Sequence, residues 1–189
     1  MVCSVTPELA AKIFPFTSLS NIRSYLPDVA GAMESAGGDQ TMLLLALATI
    51  RAETESFTPC CEEPSRFNTS PRGKPFDLYD RRQDLGNQGP PDGERFRGRG
   101  YVQLTGRSNY AHLGQTLGLE LIENPEIAAE SAQAARILFE FLHRQEGKLR
   151  AAVAQGDLAG ARRLVNGGSH GLARFREAFQ IGNALLNPS

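Results

Sequence analysis

The chain has 189 residues, of which 41% are hydrophobic and 22% charged, an ordinary composition for one globular domain. Its formal net charge of −1 excludes a strong general attraction to nucleic acid or to an anionic membrane. The longest apolar run, Met42 to Ile50, is too short to span a bilayer. We therefore expect a single domain over residues 1–189, a monomer, and no insertion into a membrane.

The N-terminal segment does not have the pattern of a secretory signal, because Glu8 and Lys12 interrupt it and no basic region precedes an apolar core. We expect synthesis in the cytoplasm without a signal peptide and delivery by other machinery. The cysteine count is odd, and the adjacent pair does not suit a relaxed bridge, so free thiols are expected at Cys3, Cys60 and Cys61. No metal or cofactor is expected, since Cys-x-x-Cys and paired-histidine spacings are missing.

The first third of the chain is predicted to be helical. Thr6-Pro7 begins a short helix, and Leu19 to Ala36 forms a second with apolar residues on one side. Asp39 caps a third helix, from Gln40 to about Glu55. This third helix is apolar nearly all round, which is typical of a helix at the centre of a domain.

Residues 58–98 form a long insert in which prolines and glycines alternate without clear periodicity. Long irregular segments in a folded domain are often functional, so we expect this insert to form one wall of a cleft. The alternative is a poorly ordered insertion. The motif Phe76 to Asp80 argues against that alternative, because disordered segments are poor in aromatic residues.

The second half is also predicted to be mainly helical. Helices are expected at Ser108 to Leu117, at Pro125 to Glu130, along Ala132 to Leu142, after the capping residue Asp157 as far as Gly167-Gly168, and at Leu172 to Leu186. The strand-like stretch is Gly100 to Thr105. The fold class is therefore mainly α, with at most a small β element.

The segment Phe96 to Tyr110 combines glycines, aromatic residues and polar side chains. Glycines allow close approach of the backbone, and the polar groups offer many hydrogen bonds. Those groups belong to Arg97, Arg99, Gln103, Thr105 and Asn109. Together they suit an uncharged, hydroxyl-rich ligand such as a polysaccharide.

Two carboxylates upstream suit glycoside hydrolysis. Glu53 is predicted near the end of the buried third helix, and Glu62 follows in the loop after Pro59. Hydrolysis of a sugar polymer needs one protonated acid for the leaving oxygen and one ionised carboxylate on the other face of the sugar. For Glu55 and Glu63 we expect surface positions, with Glu55 paired to Arg51 four residues earlier.

Other chemistries have weaker support. The segment from Glu94 to Arg107 contains four arginines but lacks the longer basic stripe of a nucleic-acid site. Asp77 and Asp80 do not have calcium-loop spacing, and the histidines have no nucleophile beside them; these are His112, His143 and His170.

Taken in order, these motifs resemble glycoside hydrolase family 19, which holds plant and bacterial chitinases and many phage endolysins. The compact endolysin branch is the most similar. The resemblance runs from about residue 20 to about residue 182 and is carried by Ala52 to Phe57, Glu62, Asp84 to Asn87, Pro91 to Gly93, Arg97 to Tyr110 and Asn166 to Gly168. It implies a lysozyme-like, α-rich fold.

The resemblance also implies roles for individual residues. Glu53 matches the general acid, and Glu62 the base that activates water in an inverting reaction, with the adjacent Glu63 left open as an alternative. Thr105 matches the hydroxyl that helps to hold this water. Substrate contacts are expected from Gln103, Asn109, Tyr101, Arg99, Asn166 and Arg174, with Arg176 able to replace Arg174.

The chain departs from the family pattern at the acid. Ala52 stands where a histidine is common, and Thr54-Glu55-Ser56 replaces a glycine-containing turn. There is no Trp, so sugar stacking would use Tyr79, Tyr101, Phe67 or Phe96. We expect a lysozyme-type enzyme that cuts peptidoglycan in the cell wall or periplasm. A chitinase, a wall-binding module without catalysis and a lytic transglycosylase are the alternatives.

Overall fold

The computed structural model describes residues 5–166 and 168–187. The predictions made for Cys3 and Gly167 therefore lie outside the described residues. The chain divides into two compact units, one of Met1–Thr58 with Leu138–Ser189 and one of Pro59–Ile137. The boundary at residue 137 falls within helix α6, Ser131–His143.

The first unit is built from helices. They are α1 (Pro7–Ile13), α2 (Leu19–Ser35), α3 (Gln40–Glu53), α7 (Glu146–Ala154), α8 (Leu158–Asn166) and α9 (Leu172–Leu186). Helix α3 is buried from Met42 to Ala52 and packs against α9, which also contacts α1 and α8. The predicted central position of the third helix within this unit is confirmed.

The second unit is less regular. Its elements are β1 (Cys60–Cys61), a 3-10 helix (Gln83–Leu85), α4 (Asp92–Arg95), β2 (Arg99–Gly100), α5 (Arg107–Leu117) and a second 3-10 helix (Pro125–Ala129). Strands β1 and β2 pair antiparallel, with Cys60 opposite Gly100 and Cys61 opposite Arg99. The apolar core of the unit contains Phe96, Leu104, Tyr110, Leu113, Leu121, Ala128 and Ile137.

The predicted fold class, mainly α with a small β element, is confirmed. One local prediction was wrong, and one helix was not predicted. Of the predicted stretch Gly100 to Thr105, only Gly100 belongs to a strand, β2, because Gly100 at φ 75° and Gln103 at φ 50° turn the backbone. Helix α7 was missed, since Gly147 lies in its first turn and it carries one fully buried side chain, Leu149.

Buried polar side chains order the predicted insert. Asp92 is 3% exposed and accepts hydrogen bonds from the Arg107 guanidinium at 2.6 and 2.7 Å. This guanidinium holds the pKa of Asp92 below its ordinary value, so the pair stays charged at neutral pH. Asn87, also buried, joins the carbonyl of Tyr79 to the amide of Arg107. These contacts tie the insert to the start of α5.

The glycine of β2 makes a close contact that a side chain would prevent. A Cβ on Gly100 would lie 2.5 Å from the carbonyl oxygen of Ala128, and the residue has a φ of +75°. We expect Gly100→Ala to lower the free energy of unfolding by about 2–4 kcal/mol through backbone strain and overlap.

Urea unfolding of the intact chain measures this effect. Gly31→Ala is the control, because Gly31 lies within α2 and has no atom within 4 Å of its added Cβ. It should gain stability from helix propensity. Equal unfolding midpoints for Gly100→Ala and the wild type would contradict the close contact.

Candidate active site

Glu53 is the last residue of α3 and lies against a buried arginine of the same unit. Its side chain is 16% exposed, whereas that of Arg162, on α8, is 0% exposed. Nη2 of Arg162 donates to Oε1 of Glu53 at 2.6 Å, and its Nε donates to the carbonyl of His170 at 2.9 Å. The carboxyl group therefore has one accessible side and one side fixed by a guanidinium.

The turn after Glu53 is fixed by strained backbone and by charge. Glu55 and Phe57 have left-handed φ values of 49° and 57°, which are unusual outside glycine. The Thr17 hydroxyl donates to the carbonyl of Glu55. The Glu55 carboxylate lies 3.0 Å from Arg174 and 3.9 Å from Arg51, so the predicted pairing of Arg51 with Glu55 is confirmed. Arg174, predicted to contact substrate, is engaged here with Glu55.

Glu62 directly follows β1 in the second unit, and three donors converge on its carboxylate. Asn68 Nδ2 and the Tyr79 hydroxyl donate to Oε1 at 2.9 and 3.0 Å, and the Gly98 amide donates to Oε2 at 3.1 Å. An ionised carboxylate only accepts, so it satisfies all three donors. Glu63 is exposed. This difference favours Glu62 over Glu63 as the functional carboxylate.

Tyr79 remains a donor to Glu62 over a wide pH range. Its partial burial and the neighbouring Glu62 carboxylate raise the pKa of the Tyr79 hydroxyl from 10.0 to about 12. The Arg82 guanidinium lies 5.8 Å from its ring centroid. Because the folded pKa lies above the ordinary value, the contribution of this hydroxyl to stability is complete below pH 10 and is lost as the pH rises through about 12.

Replacing Tyr79 by Phe tests this contact. We expect kcat to fall roughly 10- to 100-fold, because a hydrogen bond to a charged group is removed. The phenolate absorbance that appears near pH 12 should also shrink and leave that of Tyr110, whose pKa burial likewise raises to about 12. An unchanged kcat together with an unchanged absorbance titration would contradict the contact.

The motif residues Gln103, Thr105 and Asn109 are bonded to backbone in the second unit. Gln103 Nε2 donates to the carbonyls of Cys60 and Gly100 at 3.2 and 3.1 Å, and the Thr105 hydroxyl donates to the carbonyl of Gln103 at 2.8 Å. Asn109 Nδ2 donates to the carbonyl of Thr105 at 2.8 Å. Their predicted roles toward water and sugar stay predictions, as do those of Glu53 and Glu62.

Arg99 and Tyr101, predicted to contact substrate, are buried, with exposures of 4% and 0%. Their roles stay predictions. Nη1 of Arg99 donates to the Tyr110 hydroxyl at 2.9 Å. Phe96 is also buried, whereas Phe67 is 75% exposed and remains available for stacking. Asn166 is exposed, and its side chain joins the carbonyl of His170 to the amide of Gly168.

Sequence reasoning missed the residues that hold the two carboxyl groups. Neither Arg162 nor Asn68 is among the residues predicted from the sequence, and Tyr79 is predicted there only for sugar stacking. A weak signal was present for Asn68, because it follows Glu62 by six residues in a proline-rich turn. Arg162 is distant in sequence and carried no signal.

Two further properties concern the described residues alone. Across 5–166 and 168–187, His, Cys, Asp and Glu side chains form no group of three or more that could hold a metal ion. Over the same ranges, no helix is both long and apolar enough to cross a membrane.

Comparisons with known proteins identify relatives of this chain. The family model of glycoside hydrolase family 19, chitinase class I, matches residues 72–155. An acidic 27 kDa endochitinase of Solanum lycopersicum is 47% identical over 45 residues, which are 24% of this chain and 18% of that protein. Acidic endochitinase Q of Nicotiana tabacum is 46% identical over 39 residues, 21% of this chain and 15% of that protein. The matched segments thus span less than a fifth of these curated relatives.

Solved structures match over a longer part of the chain. Chitinase C from Streptomyces griseus HUT6037 aligns with a TM-score of 0.60 at 19% identity, covering 96% of this chain and 76% of that one. A chitinase C mutant aligns with a TM-score of 0.61 at 19% identity and the same coverage. At this identity the alignment establishes the fold, which is mainly α and lysozyme-like. The family model and the endochitinase segments add a similarity to glycoside hydrolase family 19 over parts of the chain.

Proposed function

We propose that this protein is an inverting glycoside hydrolase that cleaves β-1,4 bonds between N-acetylated aminosugars, with Glu53 as general acid and Glu62 as general base. Protonated Glu53 gives its proton to the glycosidic oxygen while the bond from that oxygen to the anomeric carbon breaks. Glu62 takes a proton from the water that attacks this carbon. The products are two shorter saccharides, and the new reducing end has inverted configuration.

The observation that carries the proposal is the set of three hydrogen bonds to Glu62. Asn68, Tyr79 and the Gly98 amide fix both carboxylate oxygens, which leaves their remaining lone pairs to accept a proton from water. A base must be ionised and held in one orientation to activate water. The neighbouring Glu63 has an exposed side chain and lacks such a cradle among the contacts described.

Glu53 has the features of an accessible acid on a rigid support. The helix that carries it is buried from Met42 to Ala52, so the position of its last residue is well defined. Its carboxyl group is partly exposed and can reach a substrate oxygen. The strained turn at Glu55 and Phe57 further limits movement of the chain beyond it.

Chitin is the substrate that the relatives favour, since the curated matches are endochitinases and the family model describes class I chitinases. The sequence resemblance to endolysins had favoured peptidoglycan, which differs by a lactyl ether on every second sugar. We propose chitin-type polymers as the principal substrate and keep cleavage between N-acetylmuramic acid and N-acetylglucosamine as the second candidate. Release from the cytoplasm to a cell wall or periplasm stays a prediction, as does a monomeric state.

The test compares hydrolysis of soluble chitin oligomers and purified peptidoglycan by the wild-type protein, with the anomer of the first product followed by NMR. Cleavage of the oligomers with an initial α-anomer supports the proposal. Cleavage of peptidoglycan alone supports the muramidase alternative. An initial β-anomer contradicts inversion, and a 1,6-anhydro product identifies a lytic transglycosylase. Binding of either polymer without any product identifies a binding module.

A further inference from the structure

Arg162 is completely buried, and its guanidinium is held from two sides. Arg51 of the same unit is also buried, but it pairs with Glu55 and Glu177, whereas Arg162 pairs with Glu53. Its Nε–H is bound to the His170 carbonyl at 2.9 Å, and its Cζ lies 5.9 Å from the ring centroid of Phe175. The adjacent Arg163 has a 60% exposed side chain and pairs loosely with Asp157 at 3.8 Å. Position 162 therefore places a fixed positive charge in the interior.

The positive charge of Arg162 contacts the carboxyl group of Glu53, the proposed acid, from the buried side. Nη2 of Arg162 is 2.6 Å from Oε1 of Glu53, at the short end for a charge-assisted hydrogen bond. Since the His170 carbonyl anchors Nε independently, the guanidinium orients the Glu53 carboxyl rather than the reverse. Access to Glu53 is from its exposed side, because the side chain of Arg162 is fully buried.

The hydrogen bonding of Arg162 is incomplete. Its Nη1 is buried and has no hydrogen-bond partner within the described part of the chain. A buried donor without a partner is destabilising, so such groups are uncommon and often accompany a functional role. Among the described residues, Nε of Arg51 is likewise buried without a hydrogen-bond partner, so it is the contact with Glu53 that distinguishes Arg162.

On this basis, and resting on the proposed function, we propose that Arg162 is the positioning residue of the general acid. When Glu53 transfers its proton to the glycosidic oxygen, the bond to the anomeric carbon breaks and a carboxylate remains. The fixed guanidinium stabilises the negative charge that develops on Oε1 during this transfer, without reorganising. Arg162 does not touch the substrate and acts through Glu53.

Leaving-group dependence separates this role from a structural one. A natural sugar leaving group needs the proton from Glu53, whereas an aryl β-glycoside of a chitin oligomer with an electron-poor phenol leaves without it. Arg162→Gln is expected to lower kcat on natural oligomers by about 100-fold, similar to the loss of an oxyanion donor. On the activated aryl substrate most of the activity should remain, as it should for Glu53→Gln.

Three variants complete the experiment. Arg162→Lys keeps the charge but loses the planar fork, so it should recover part of kcat on natural oligomers. Arg163→Gln, one residue further along α8, should behave as the wild type on both substrates. The double variant of Arg162→Gln with Glu53→Gln should be no slower on the activated substrate than Glu53→Gln alone, because both changes remove the same step.

The outcomes are distinguishable. Equal losses on natural and activated substrates in Arg162→Gln would overturn the positioning role and leave a structural one. If thermal unfolding shows that this variant does not fold, the same comparison is made with Arg162→Lys, and an equal loss there has the same meaning. If the wild type cleaves neither substrate, the proposed function itself fails. If Glu53→Gln shows leaving-group dependence and Arg162→Gln does not, the inference about Arg162 alone fails.

Discussion

Glu53→Gln should lower kcat on chitin oligomers by about 10²- to 10⁴-fold, the usual contribution of a positioned general acid. Glutamine is nearly isosteric and keeps the oxygen that accepts from Arg162, but it has no acidic proton for the leaving oxygen. KM should change little, because the substitution affects a group that acts in the transition state. Initial rates on oligomers of defined length measure both constants.

A control substitution shows whether kcat falls because the proton donor is missing or because any carboxyl group of the first unit has been replaced. Glu177→Gln on α9 removes a carboxylate that lies 3.0 Å from the buried Arg51 and is 56% exposed, and it should retain wild-type kcat. Equal kcat values for Glu53→Gln and the wild type would exclude Glu53 as the acid.

The helices could be predicted because their signals are local. Thr6, Asp39 and Asp157 each accept a hydrogen bond from an amide three residues later, as expected of capping side chains. The apolar run of α3 lies within one segment, and so does the pattern that gives α9 its bounds of Leu172–Leu186. In these cases the nearest neighbours in sequence determine the structure.

The contacts that hold the candidate site could not be predicted in the same way. Arg162 and Glu53 are separated by 109 residues, and Tyr79 and Glu62 by 17. Whether two such side chains meet depends on packing of helices and loops that no local pattern specifies. The resemblance to a known family identified the carboxylates, but their partners required coordinates.

The glycines between Phe96 and Tyr110 were expected to let the backbone come close to a bound ligand. The backbone does make close contacts at these glycines, but with other groups of the protein. A Cβ on Gly100 would lie 2.5 Å from the carbonyl oxygen of Ala128, and a Cβ on Gly98 would lie 2.7 Å from Gln103 Oε1 and 3.1 Å from Glu62 Oε2. These close contacts are therefore made with the protein itself. The second contact shows how the motif serves the base: the absence of a side chain at Gly98 lets its amide reach Glu62.

Glu62→Gln is expected to lower kcat by about 10²- to 10⁴-fold as well, because the attacking water loses its proton acceptor. The amide also replaces an acceptor oxygen by a donor, so one of the donors from Asn68, Tyr79 or Gly98 faces an NH₂ group. Glu63→Gln is the control at the next position. It changes an exposed carboxyl and should leave kcat unchanged.

Chemical rescue distinguishes a missing base from a disturbed loop in this variant. Azide is a nucleophile that needs no deprotonation, so it should restore bond cleavage by Glu62→Gln and give a glycosyl azide of inverted configuration. It should not restore cleavage of natural oligomers by Glu53→Gln, which lacks the proton for the leaving oxygen. If azide rescues neither variant, and if Glu63→Gln is the slower of the adjacent pair, then the base is Glu63 and the three donors around Glu62 serve only to order the loop.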